Sequence, residues 1–183
     1  MDSLSLPVRR IVSGGQTGVD RGALDAAIAL GLEHGGWCPQ GRRAEDGTIP
    51  LQYDLKMTES ADYAVRTRHN VGDSDGTLIF YHHDLTGGTR ATHRYAVRSG
   101  RPYHLVRFDD SALSATEEGR VDRLAIEAVA AWLVKNNLVV LNVAGPRESL
   151  QPGIAAATTR FLIALFASEY RGGQTGHPRL PTA

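Results

Sequence analysis

Short apolar runs alternate with amphipathic stretches along the 183-residue chain. Arg10-Ile11-Val12-Ser13 reads as a strand stopped by Gly14-Gly15. Behind it, Leu24, Ala27 and Ile28 recur at helical spacing, and Gly31 stands where a glycine ends a helix. Residues 35–38 suggest a short second strand, interrupted by glycine and followed by Pro39. A polar loop through residues 41–47 leads to a helix over 61–70, with Ser60 as its N-cap. Thr77-Leu78-Ile79-Phe80-Tyr81 is a third strand, and residues 90–98 form a helix behind Gly87-Gly88-Thr89, closed by Gly100. Residues 103–108 make a fourth strand. Val121, Leu124, Ala125, Ala128, Val129 and Trp132 follow one helical face. Residues 138–143 are a continuous apolar run suited to a strand covered on both sides, and Pro152-Gly153 opens a last helix over 154–168.

Strand and helix alternate throughout. The expectation is an α/β, Rossmann-like fold: an open, mainly parallel sheet of about five strands with helices on both faces. Residues 1–170 form one domain. Residues 171–183, rich in glycine and proline without periodicity, read as a mobile tail. The pentapeptide at Gly14–Gly18 recurs at residues 172–176 without a strand before it or a helix after it, so the second copy carries no expectation.

Lys plus Arg and Asp plus Glu are 20 each, a balance without the footprint of a nucleic-acid or membrane-surface binder. No apolar run reaches the roughly 20 residues of a membrane span, and a signal peptide is not visible, so the cytoplasm is expected. A single cysteine, Cys38, makes neither an internal disulfide nor a metal cluster, and reads as a core residue.

In open parallel sheets, ligands bind beyond the carboxyl ends of the strands. Three turns there combine glycines, hydroxyls and an arginine. The first is Ser13-Gly14-Gly15-Gln16-Thr17-Gly18-Val19-Asp20-Arg21; the second is Thr86-Gly87-Gly88-Thr89-Arg90; the third is Asn142-Val143-Ala144-Gly145-Pro146-Arg147-Glu148-Ser149. Glycines let a backbone approach an anion, hydroxyls and helix N–H groups donate to it, and arginine adds charge. One such turn is no more than a tight connection. Three converging on one edge point to a phosphate- or oxyanion-bearing ligand. The dinucleotide fingerprint and the P-loop are both absent.

Carboxylates near that edge are Asp20, Asp73, Asp75 and Glu148; Asp20 and Glu148 are candidate general acids or bases, and Asp20 serves equally as a helix-dipole partner. Asp73-Ser74-Asp75 precedes the third strand and reads as a turn and cap. His82-His83-Asp84 reads as a solvated strand exit more readily than as a metal site, since adjacent strand residues point to opposite faces.

The turns at 13–23, Asn70-Val71 with 73–79, Gly87-Gly88-Thr89 and 141–149, in that order, resemble the molybdenum carrier family. That family is regarded as a circularly permuted, YpsA-like branch of the SLOG superfamily. The resemblance covers about residues 11–166. It implies a Rossmann-like fold that holds a nucleotide-related or cofactor-like ligand, with molybdenum cofactor one such ligand. It also implies that Leu138 to Arg147 corresponds to the superfamily's opening strand, and Gly14 to Arg21 to its later phosphate loop. Related phosphoribohydrolases carry P-G-G-x-G-T-x-x-E. Here the leading Pro and the Glu are missing, and Asp20 is the nearest substitute.

The leading expectation is a non-catalytic binding protein for a phosphorylated nucleotide-like or cofactor ligand. Gly14, Gly15, Gln16, Thr17, Gly18, Arg21, Gly145, Arg147 and Ser149 would hold the phosphate, and Gly87, Gly88 and Thr89 would close one side. The rival is a nucleotide-processing hydrolase using Asp20 or Glu148. A third reading is a signalling sensor module. A homo-oligomer built from dimers is expected too, because Ile154, Phe161, Leu162, Ile163, Leu165 and Phe166 spread over more than one helix face.

Overall fold

The computed structural model describes residues 6–114 and 121–170. The expected tail and the second pentapeptide copy lie outside the described residues. The main sheet contains β1 (Arg10–Val12), β2 (Glu33–Gly35), β7 (Gly76–Tyr81), β8 (Tyr103–Arg107) and β9 (Val140–Ala144). Its order is β2-β1-β9-β7-β8, and every pairing is parallel. The expected α/β sandwich is therefore present.

Among the described residues six α-helices surround it: α1 (Val19–Leu30), α2 (Tyr63–Gly72), α3 (Gly87–Arg98), α4 (Asp110–Leu113), α5 (Arg123–Lys135) and α6 (Ile154–Tyr170). Helix α1 packs on α6, which also meets α4 and α5, while α2 packs on α3. Right-handed crossovers put these two groups on opposite faces. Gly31 closes α1 in the left-handed conformation, its N–H reaching the Ala27 and Ile28 carbonyls. Helix α2 is capped by Asp62, whose carboxylate accepts from Ala64 N, rather than by Ser60. Gly87 and Gly88 lie inside the first turn of α3, where a connecting turn was expected.

The second strand differs from its expected span. It ends at Gly35, and Trp37–Cys38 (β3) turns away to pair with Lys56–Met57 (β6). Gly36, at φ 123°, makes the break. Between β3 and β6 lies a two-rung hairpin of Arg43–Ala44 (β4) and Gly47–Thr48 (β5). Leu24, Cys38, Ile49, Tyr53 and Leu55 form a small core beneath this region, apart from the main one.

Ile154, Phe161, Leu162, Leu165 and Phe166 are all buried within one chain, and of the six apolar α6 residues only Ile163 reaches 36% exposure. The surplus apolar face that led to the dimer expectation is covered by α1, α4, α5 and the sheet. Among the described residues no helix is long and apolar enough to cross a membrane.

Candidate functional site

Strands β1, β9 and β7 end at one edge of the sheet, and the segments leaving them enclose a cleft of about 500 Å³. Gln16 and Asp20 line it from the turn after β1, and Gly145 and Arg147 from the turn after β9. Gly87, Gly88 and Thr89 border it from α3, whose N-cap, Thr86, makes no side-chain cap. A first helical turn has N–H groups with no acceptor inside the helix, so this border favours anions.

Asp20 is buried in the first turn of α1. Its Oδ2 accepts from Gln16 N at 3.2 Å and from Arg66 Nη1 at 3.0 Å. Burial pushes its carboxyl above the usual range, against the downward pull of the Arg66 charge and the Gln16 N–H. Arg66 comes from α2, and its side chain is 14% exposed. Its Nε is buried without a hydrogen-bond partner. Gly14 makes room for it: a Cβ there would stand 1.6 Å from Arg66 Nη1. Nothing in the sequence marks Arg66, because α2 is polar and only the fold carries this arginine over Gly14.

The turn after β1 spends several of its donors on the protein itself. Thr17 N and Glu45 N both donate to Gln16 Oε1, at 3.0 and 2.9 Å, and Val19 N donates to the Pro146 carbonyl at 3.1 Å. Gly18, at φ 77°, lets the first and third turns touch; a Cβ there would lie 2.4 Å from the Pro146 carbonyl oxygen. Arg21 lies outside the cleft lining. It grips the Asp46 carboxylate with both terminal nitrogens, and its Nε donates to the Gly15 carbonyl at 3.3 Å.

Thr17 and Ser149 meet at the Glu45 carboxylate. Thr17 Oγ1 and Ser149 Oγ both donate to it, Ser149 N adds a bond of 3.1 Å, and Arg147 Nη1 stands 3.7 Å away. Partial burial opposes ionisation of Glu45, but these hydroxyls, the N–H and Arg147 together hold its carboxyl below the usual range. The Arg21 hydrogen bond does the same for Asp46. Sequence reasoning read residues 41–47 only as a polar loop and missed both acids.

Glu148, expected as a candidate acid or base, lies at the start of α6. Its two oxygens accept from Gly153 N at 2.6 Å and Ala155 N at 3.0 Å, so it caps α6 and does not line the cleft. Asp73 and Asp75, expected as a turn and cap, bond through their side chains to distant segments: Asp75 Oδ2 accepts from Val139 N and Val140 N, and Asp73 from Trp37 Nε1. The His82 ring joins the Phe108 carbonyl and Asp110 through its two nitrogens. Among the described residues no group of three His, Cys, Asp or Glu side chains could hold a metal ion. Cys38 is buried, and burial pushes its thiol up.

A family model described as "Circularly permutated YpsA SLOG family" matches residues 11–166. A crystal structure from Syntrophus aciditrophicus SB, described as a "Putative molybdenum carrier protein", is 39% identical. The alignment covers 87% of this chain and 95% of that one, with a TM-score of 0.75. No curated protein matches. The sheet with its strand-end cleft, the family match across 11–166 and the likeness to that structure agree, and the chain belongs to the circularly permuted YpsA branch of the SLOG family.

Proposed function

We propose that this protein binds a small phosphorylated ligand, nucleotide-like or a cofactor, in the cleft beyond β1, β9 and β7. One observation carries the reading: Arg66, with its Nε unpartnered, faces the same cleft as Arg147 and the uncapped start of α3. Two guanidinium groups and a helix N-terminus select an anion, and arginine suits phosphate geometry. The volume lies within the roughly 300–1,000 Å³ of small-molecule sites. Tyr63 and Leu150 add exposed apolar surface to the lining, which suits a ligand with a ring beside its phosphate.

The description of the Syntrophus structure directs attention to molybdenum cofactor as cargo, since that cofactor joins a phosphate to a pterin. Arg66, Arg147 and the α3 N-terminus fit its phosphate end. Binding without turnover is favoured because Glu148 is committed to α6 and Asp20 to Arg66.

The test is calorimetric titration with AMP, beside a native mass spectrum of freshly purified protein. Arg66→Gln should weaken AMP binding by about 1.5–3 kcal/mol, the worth of a hydrogen bond to a charged group. Equal affinity in both proteins sinks the assignment. Turnover of AMP that Asp20→Asn abolishes would replace the carrier with a hydrolase.

A further inference from the structure

The cradle of Thr17, Ser149 and Arg147 already holds an anion, and that anion belongs to the protein. A carboxylate at 45 receives two hydroxyl donors, one N–H and a nearby guanidinium, drawn from the turns after β1 and after β9. A phosphate oxygen would ask for the same donors. Arg147 belongs at once to this cradle and to the cleft lining.

The hairpin that delivers Glu45 is anchored in different ways at its base and at its tip. The hairpin has two rungs, Arg43 with Thr48 and Ala44 with Gly47. So short a hairpin has little stability of its own. Its base is tied down by Arg42, whose guanidinium donates to the carbonyls of Ile49, Pro50, Tyr53 and Leu55 at 2.8–3.1 Å. Its tip is held by Glu45 in the cradle, by Glu45 N on Gln16 and by Asp46 on Arg21. Ala44 adds a partly buried contact with the small core.

We propose that Glu45 is the internal occupant of an oxyanion subsite, and that the ligand's anionic group enters by displacing it and lifting the hairpin tip. The inference rests on the phosphorylated-ligand reading and adds to it a gate: a competing carboxylate that keeps the subsite filled until a stronger anion arrives. A dianionic phosphate offers more acceptor sites and more charge than a carboxylate, so it can win the cradle. Free monocarboxylates, chemically equivalent to the resident group, gain no such advantage.

The experiment titrates the full chain with inorganic phosphate and follows hydrogen exchange across residues 43–48. In the wild type, phosphate should speed exchange in the hairpin. Glu45→Gln should bind phosphate about tenfold tighter, since no internal charge competes for the charge-assisted donors. Ser149→Ala, added to Glu45→Gln, should reverse most of that gain. Asp54→Asn removes an exposed carboxylate from the same β3–β6 segment, outside both the cradle and the contacts that hold the hairpin tip. An equal gain there would reduce the effect to general electrostatics and overturn the proposal. Phosphate affinity unchanged by Glu45→Gln, or phosphate bound by neither protein, overturns it as well. If AMP still binds and Arg66→Gln still weakens it, the cleft reading survives and only the gate is lost.

Discussion

The guanidinium of Arg66 occupies the space that a side chain at position 14 would need, 1.6 Å from where a Cβ would stand. This glycine serves close approach more than backbone freedom. Gly14→Ala should therefore leave the backbone in place and push Arg66 away from Asp20. AMP affinity should fall by about 1.5–3 kcal/mol, much as in Arg66→Gln. Calorimetry on both variants checks this; an alanine variant that binds like wild type would mean that Arg66 works from elsewhere.

Asp20 gives a pH dependence with a definite sign. Burial raises its pKa above 3.8 in the folded state, so the folded protein holds this proton more tightly than the unfolded chain does. The contribution to stability is full below the unfolded value and is lost as pH rises through the folded one. Asp20→Asn does not titrate. Denaturant unfolding at a series of pH values from about 4 to about 8 should show wild type losing stability relative to the variant as pH rises. A flat difference would mean that Arg66 keeps the carboxylate ionised throughout.

Glu45 and Asp46 work in the opposite direction. Their pKa values are lowered, from 4.5 and 3.8, so what they add to stability is present above those values and is lost as pH falls through the folded ones. Amide exchange in the hairpin, residues 43–48, should accelerate in acid before the exchange of β7 and β9 does. Simultaneous loss of protection in both would show that the hairpin opens only with the whole fold.

Glu148→Ala should cost about 0.5–2 kcal/mol, the usual worth of a helix N-cap. Glu148→Gln, which keeps an acceptor oxygen, should cost less. The midpoint of denaturant unfolding should move without a change in slope. No loss in either variant would remove the capping role.

Arg42→Ala should release the segment between β3 and β6, because the carbonyls it gathers belong to a small core separate from the main one. Limited proteolysis should cut between residues 43 and 57, while thermal unfolding of the main sheet stays near the wild-type midpoint. Loss of both together would make the two cores one cooperative unit.

The alternation of strands and helices was legible in the chain, as were the Gly31 cap and the glycine-rich turns at strand ends. Those signals are local: a period of side chains, or one residue's backbone freedom, decides them. Strand order, the break at Gly36 and the burial of the apolar faces of α6 were not legible. They depend on which surfaces meet, and α6 looks over-apolar until α1 lies against it. The site divides in the same way. Its glycines and hydroxyls led to the expectation of an anion site, but Arg66 reaches Asp20 across 46 positions and Glu45 reaches Ser149 across 104. Pairings at such separations leave no periodic trace in a sequence, because only the closed sheet brings their donors and acceptors within reach.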